Sequence, residues 1–178
     1  MRAFWVNRLI RVLCLLVFAA AIGLLIHRLR RTPEQQELTH YVKLEIPSLF
    51  AVEEPIDERI GRLNKAPGLK PEEARTLLVD DIIPRLVKLR RQAAELEFHT
   101  AEAQRLNDEY LHVVDQLIDA CRACVRVIDD PQLPDGAGLV LVRERFADVH
   151  RALATWDDHV REACVRHRLA KPAALPHG

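Results

Sequence analysis

"PEEARTLLVDDIIPRLVKLRRQAAELEFHTAEAQRLNDEYLHVVDQLIDACRACVRVIDD", Pro71–Asp130, runs without a glycine and with one internal proline, Pro84. Its apolar residues recur in steps of three or four. Leu78, Ile82, Leu86, Leu89, Ala93 and Leu96 form one stripe; Leu106, Tyr110, Val113, Leu117, Cys121, Cys124 and Ile128 form another. That is the helical period, so the whole stretch reads as helix. As a single helix it would be about 90 Å long at about 1.5 Å per residue, too long for a compact domain. A turn is therefore expected near Phe98–Ala101, with Thr100 as a cap, folding the stretch into two antiparallel helices. Pro84 lacks the amide that would bond to position 80, so a kink is expected there.

Working outward, the loop "DDPQLPDGAG", Asp129–Gly138, leads to a last helix from about Leu139 to Leu169. Its stripe is Leu139, Val142, Phe146, Val149, Leu153, Trp156, Val160, Cys164 and His167. On the other side lies "NKAPGLKP", Asn64–Pro71, a breaker-rich loop. Before it, Ser48 is expected to cap a shorter helix carrying Leu49, Val52, Ile56, Ile60 and Leu63. "TPEQ" opens a preceding segment, with Thr32 as cap, Pro33 at the first helical position and Gln35 reaching back. Pro47 is expected to stop that segment near Glu45. No strand-like alternation and no tandem repeat occurs. The expected fold is all-α: an N-terminal transmembrane helix, then an antiparallel bundle of three long helices plus a shorter one. The expected organisation is an anchor with basic flanks (1–31), a juxtamembrane segment (32–47), the bundle (48–170) and a tail (171–178).

The first 31 residues are different material. Val12–Ile26, "VLCLLVFAAAIGLLI", carries no charge. With Leu9, Ile10 and a snorkelling Arg11, the span becomes residues 9–26, near the lower limit for crossing a bilayer. Phe4 and Trp5 suit one interface and "HRLRR" the other. The Ala19-x-Ala21 pattern falls inside the apolar run, so an uncleaved single-pass anchor is expected rather than a signal peptide. Three arginines flank each side of the apolar run. A short basic tail tends to stay in the cytoplasm, which places the domain outside. Arginine outnumbers lysine 21 to 5, a bias of GC-rich bacterial genomes, so a bacterial inner membrane is expected. After residue 31 the chain has 20 basic and 26 acidic residues, a net charge of −6. Such a domain repels phosphate backbones, and no nucleic-acid partner is expected.

Chemistry is sparse. Cys121-x-x-Cys124 and Cys164-x-x-His167 invite a zinc reading, which needs four converging ligands. In an antiparallel hairpin Cys121 lies opposite about position 148, leaving Cys164 about 24 Å away along the axis. His150 is nearer, so Cys121, Cys124 and His150 are the residual metal candidates. Val125 stands where covalent haem needs histidine. The pair sits mid-helix and not at a helix start after a strand, unlike a thioredoxin site. Cys121, Cys124 and Cys164 fall on apolar stripes and read as small core residues.

The Glu37/His40 and Glu109/His112 pairs have the Glu-x-x-His spacing of di-iron bundles. Glu109 and His112 point away from their stripe, and the reading sends them to solvent. The chain has one serine, Ser48, no nucleophile motif and no glycine-rich phosphate loop, so neither an enzyme nor a cofactor is expected. Val79, Ile83 and Val87 form a second stripe, rotated by roughly 100°. This candidate contact stripe must be covered by the helix Leu49–Leu63, by a protein partner or by a second copy. The expected function is a membrane-anchored bundle acting through protein–protein contacts, as scaffold, adaptor or assembly factor. The alternative is a tethered sensor that binds a small molecule or metal within the bundle.

Overall fold

The computed structural model describes residues 32–65, 70–130 and 137–169. The expected anchor, 9–26, and the expected tail, 171–178, lie outside them. Among the described residues no helix is long and apolar enough to cross a membrane.

Four helical rods run up and down. The first joins α1 (Pro33–His40), a π turn (Tyr41–Glu45) and α2 (Ile46–Lys65). The second joins α3 (Pro71–Thr76), another π turn (Leu77–Ile82) and α4 (Ile83–Ala94). The third is α5 (Ala101–Asp129) and the fourth α6 (Ala137–Arg166). The third rod packs on the second and fourth, and α2 packs on α4. Phe50 closes the first rod onto the fourth by meeting Trp156 edge-on, with 6.1 Å between ring centroids. The result is an all-α four-helix bundle.

The stripe Leu78, Ile82, Leu86, Leu89 and Ala93 is buried, as are Leu106, Tyr110, Val113, Leu117 and Cys121 opposite it. The expected division into three long helices and a short one needs correction. Pro47 does not end the first rod, and Ser48 is not a cap: its hydroxyl donates back to the Glu45 carbonyl at 2.8 Å. Leu38, Tyr41, Val42 and Ile46 are buried in the same core as the rest, so residues 32–47 are part of the bundle.

The two π turns explain how Pro47 and Pro84 are absorbed. Each ends two residues before a proline, Pro47 or Pro84. The amides of Ile46 and Ile83 reach five residues back, to the carbonyls of Tyr41 and Leu78. The wider turn moves aside the carbonyl that a proline ring would strike. It also keeps the seam straight. Leu38, Val42 and Ile46, like Leu78, Ile82 and Leu86, are spaced by two successive steps of four, each of which drifts by about 40° in an α-helix.

The upper end of the bundle, where α1 begins, is held by polar locks. Thr32 and Gln35 form the expected reciprocal cap, both bonds 3.2 Å. The turn before α5 lies close to where it was expected, but Thr100 caps with its extended backbone and makes no side-chain cap bond. Instead, Glu37 from α1 accepts from the His99 and Thr100 amides, each at 2.7 Å. Partial burial works to raise the Glu37 carboxyl, but hydrogen bonds from Thr100 and His99 outweigh it and hold it below the usual range. Acid therefore releases this lock only below the ordinary glutamate range.

Glu102, at the start of α5, takes Arg166 at 2.6 Å and His167 at 2.5 Å. The His167 carbonyl accepts from the Gln35 side chain at 3.2 Å. Beyond it, Leu169 N–H reaches the Cys164 carbonyl at 2.8 Å and Arg168 N–H reaches Val165 at 3.1 Å. These two bonds make a Schellman C-cap, with Arg168 at the left-handed position, φ 52°. A non-glycine residue there costs about 1 kcal/mol. Arg168→Gly is expected to stabilise the fold by about 0.5–1 kcal/mol, read as a raised thermal midpoint. A lowered midpoint would show that the arginine side chain contributes more than the strain removes.

Candidate functional site

A trough runs along the outer face where α5 and α6 meet. Three pairs set the register of these antiparallel helices: Glu102 with His167, Trp156 with Leu106, and Glu109 with His159. The upper chamber encloses about 610 Å³. Ala101, Val113, Ala152 and Trp156 give it apolar surface, and Arg105, Asp108, Glu109, His112, Thr155 and His159 ring it. A lower chamber of about 340 Å³ shares Ala152 and Thr155 and is bordered by Gln116, Asp119, Arg145, Asp148 and Arg151. From Ala101 to Asp119 the trough follows about 27 Å of helix.

Glu109 is the polar centre of the upper chamber. One carboxylate oxygen takes Arg105 at 2.5 Å, one turn away on the same helix. The other lies 2.8 Å from His159 Nδ1 across the trough. This fixes the imidazole plane and leaves Nε2 as its second hydrogen-bonding atom. His112 bonds to Gln116 at 2.9 Å. The site can thus offer an apolar floor with donors and acceptors along both rims, the make-up of a recognition surface.

The wall of the trough connects to the core. Trp156 is buried, stacks obliquely on Tyr110 at 5.1 Å between centroids, and donates its indole N–H to the Leu106 carbonyl at 2.9 Å. Behind it, the Tyr110 hydroxyl donates to Glu53 at 3.1 Å. Glu53, 6% exposed, is a buried carboxylate on the inner face of α2. Asn107, also buried, donates to the Ala93 carbonyl at 2.9 Å.

Several sequence-derived candidates lie elsewhere. Cys121 and Cys164 are buried and Cys124 is half-buried, all facing the core. Burial pushes the Cys121 thiol up to about 12 and raises the other two as well, so none is a ready thiolate. His150 is exposed on α6. Among the described residues no three His, Cys, Asp or Glu side chains are placed to hold a metal. Glu37 is a structural lock, and His40 pairs with Glu45 at 2.9 Å on the surface. In the second stripe Val79 and Ile83 are half-buried and Val87 is 44% exposed. Beside it, Asp81 bonds both Arg85 and Arg59, tying α2 to the second rod. The Arg85 bond is foremost in holding its carboxyl below the usual range.

Glu109 and His112 stand out in the sequence by their spacing, but the trough they border does not. Nothing in the local pattern pairs Glu109 with His159; the register of two helices does. Glu53 was legible in principle, since steps of four and three place it on one seam with Leu49 and Ile56. Comparison of the chain with protein-family models, curated proteins and solved structures finds no match.

Proposed function

We propose that this chain is a membrane-tethered helical bundle that works through protein–protein contact, as scaffold, adaptor or assembly factor, with residues 9–26 as the tether. The trough along α5 and α6 carries this reading. It is open along its length, apolar along its upper half and as long as a five-turn helix, a shape suited to a polypeptide. The Val79–Ile83–Val87 stripe is a second, smaller contact face. The reading is of a binding protein, not a catalyst.

A small-molecule sensor is the second reading. It is favoured by the upper chamber, whose volume lies in the range of ligand pockets and whose Glu109–His159 pair is pre-oriented.

Photo-crosslinking side chains at Thr155 and Asp119, in the full chain in its own membrane, separate the two. Protein contact predicts a discrete protein adduct of one mass from both positions. Adducts from neither position would overturn it. A ligand of the upper chamber predicts displacement at Thr155 alone. The same preparations test the tether, because the full chain is expected to stay with the membrane through carbonate extraction. Recovery in the carbonate supernatant would sink that part.

A further inference from the structure

We propose that the trough takes one basic amphipathic helix of a partner protein, an assignment that rests on the protein-contact reading above. Length is the first argument. The 27 Å run accommodates about 18 helical residues, far more than a compact ligand needs. Chemistry is the second. Only the upper half offers an apolar floor, around Val113, Ala152 and Trp156, so the partner's apolar anchors cluster in about two turns.

Charge decides the sign. In the upper chamber Arg105 is engaged by Glu109, while Asp108, exposed on the rim, has no ion pair among the described residues. Asp108 is thus a negative charge without an ion pair beside the apolar floor. In the lower chamber Asp148 is engaged by Arg151 and Asp119 pairs with Arg122 at 3.5 Å, which leaves Arg145 as a cation at the end away from the apolar floor. The surrounding field agrees, because residues 32–178 carry 20 basic and 26 acidic residues. An acidic surface draws in a basic partner and repels a second copy of itself. The recognised segment therefore places lysine or arginine next to its anchors, facing Asp108.

The test uses the full chain in nanodiscs of zwitterionic lipid. A Trp5→Phe background leaves Trp156 as the one tryptophan reporter. The probes are two 18-residue helical peptides with leucine at i, i+3, i+4 and i+7, one filled with lysine and the other with glutamate. The lysine peptide is expected to shift Trp156 emission and saturate at one per chain. Thr155→Arg, at an exposed position, should weaken it by about tenfold or more, the factor for about 1.4 kcal/mol. Asp108→Lys should reverse the preference in favour of the glutamate peptide. Circular dichroism checks that both variants keep their helix content.

No saturable shift, binding untouched by Thr155→Arg, or a preference that Asp108→Lys leaves unchanged would each overturn the assignment. If the peptides fail while a protein adduct still forms at Thr155, the basic-helix assignment falls and the contact reading stands. If both fail, both fall.

Discussion

Trp156→Ala is expected to lower the stability of the bundle by about 3–5 kcal/mol. The indole is 2% exposed and touches three rods at once. It meets Phe50 of the first rod at 6.1 Å and Tyr110 of the third at 5.1 Å, and it belongs to the fourth. Its N–H also bonds to the Leu106 carbonyl. Truncation therefore opens a cavity at the junction and removes a buried hydrogen bond. Domains of this size are stable by only about 5–15 kcal/mol, so the variant should approach unfolding at body temperature. Trp156→Phe, which keeps most of the volume, should lose clearly less. Urea denaturation followed by circular dichroism measures both. A loss under about 1.5 kcal/mol for the alanine variant would show that the floor of the trough is loosely packed.

Tyr110→Phe is expected to cost about 2–3 kcal/mol, although it deletes a single oxygen. The hydroxyl donates to Glu53, and a buried carboxylate deprived of a donor suffers a desolvation penalty that an exposed one would not. Glu53→Gln keeps an acceptor for the same hydroxyl, so it should cost less than about 1 kcal/mol. Combining Tyr110→Phe with Glu53→Leu should lose less than the two single losses added together, because both members of this buried bond are removed together. Additive losses in that cycle would show that the two side chains do not act as a pair. The contrast also bears on function. A buried carboxyl sits behind the trough wall, where its bond holds Tyr110 and, through it, Trp156.

Much of the fold was legible because helices announce themselves locally. The stripes of α4, α5 and α6 gave the right helices and a turn near Thr100. Two signals were present and misread. Successive steps of four at Leu38–Val42–Ile46 and Leu78–Ile82–Leu86, with a proline one residue after the first run and inside the second, mark a π turn; at Pro47 the same pattern imitates a helix end. A glutamate in phase with Leu49 and Ile56 marks a buried carboxylate. The Glu109–His159 pair left no such trace, since the two residues are 50 positions apart and depend on how two helices slide against each other.

By itself, the sequence determined the helical class, the seams that become the core, the Thr32 cap and the acidic character of everything after residue 31. These follow from period, local hydrogen bonding and composition, all of which act within a few residues or sum over the chain. Only the tertiary structure decided that the first rod continues through Pro47, that Glu37 rather than Thr100 supplies side-chain acceptors for the turn before α5, and that two helix faces join into one trough. Those outcomes depend on register and contact between rods distant in sequence, where packing outweighs the local preference for a break, a cap or a solvated side chain.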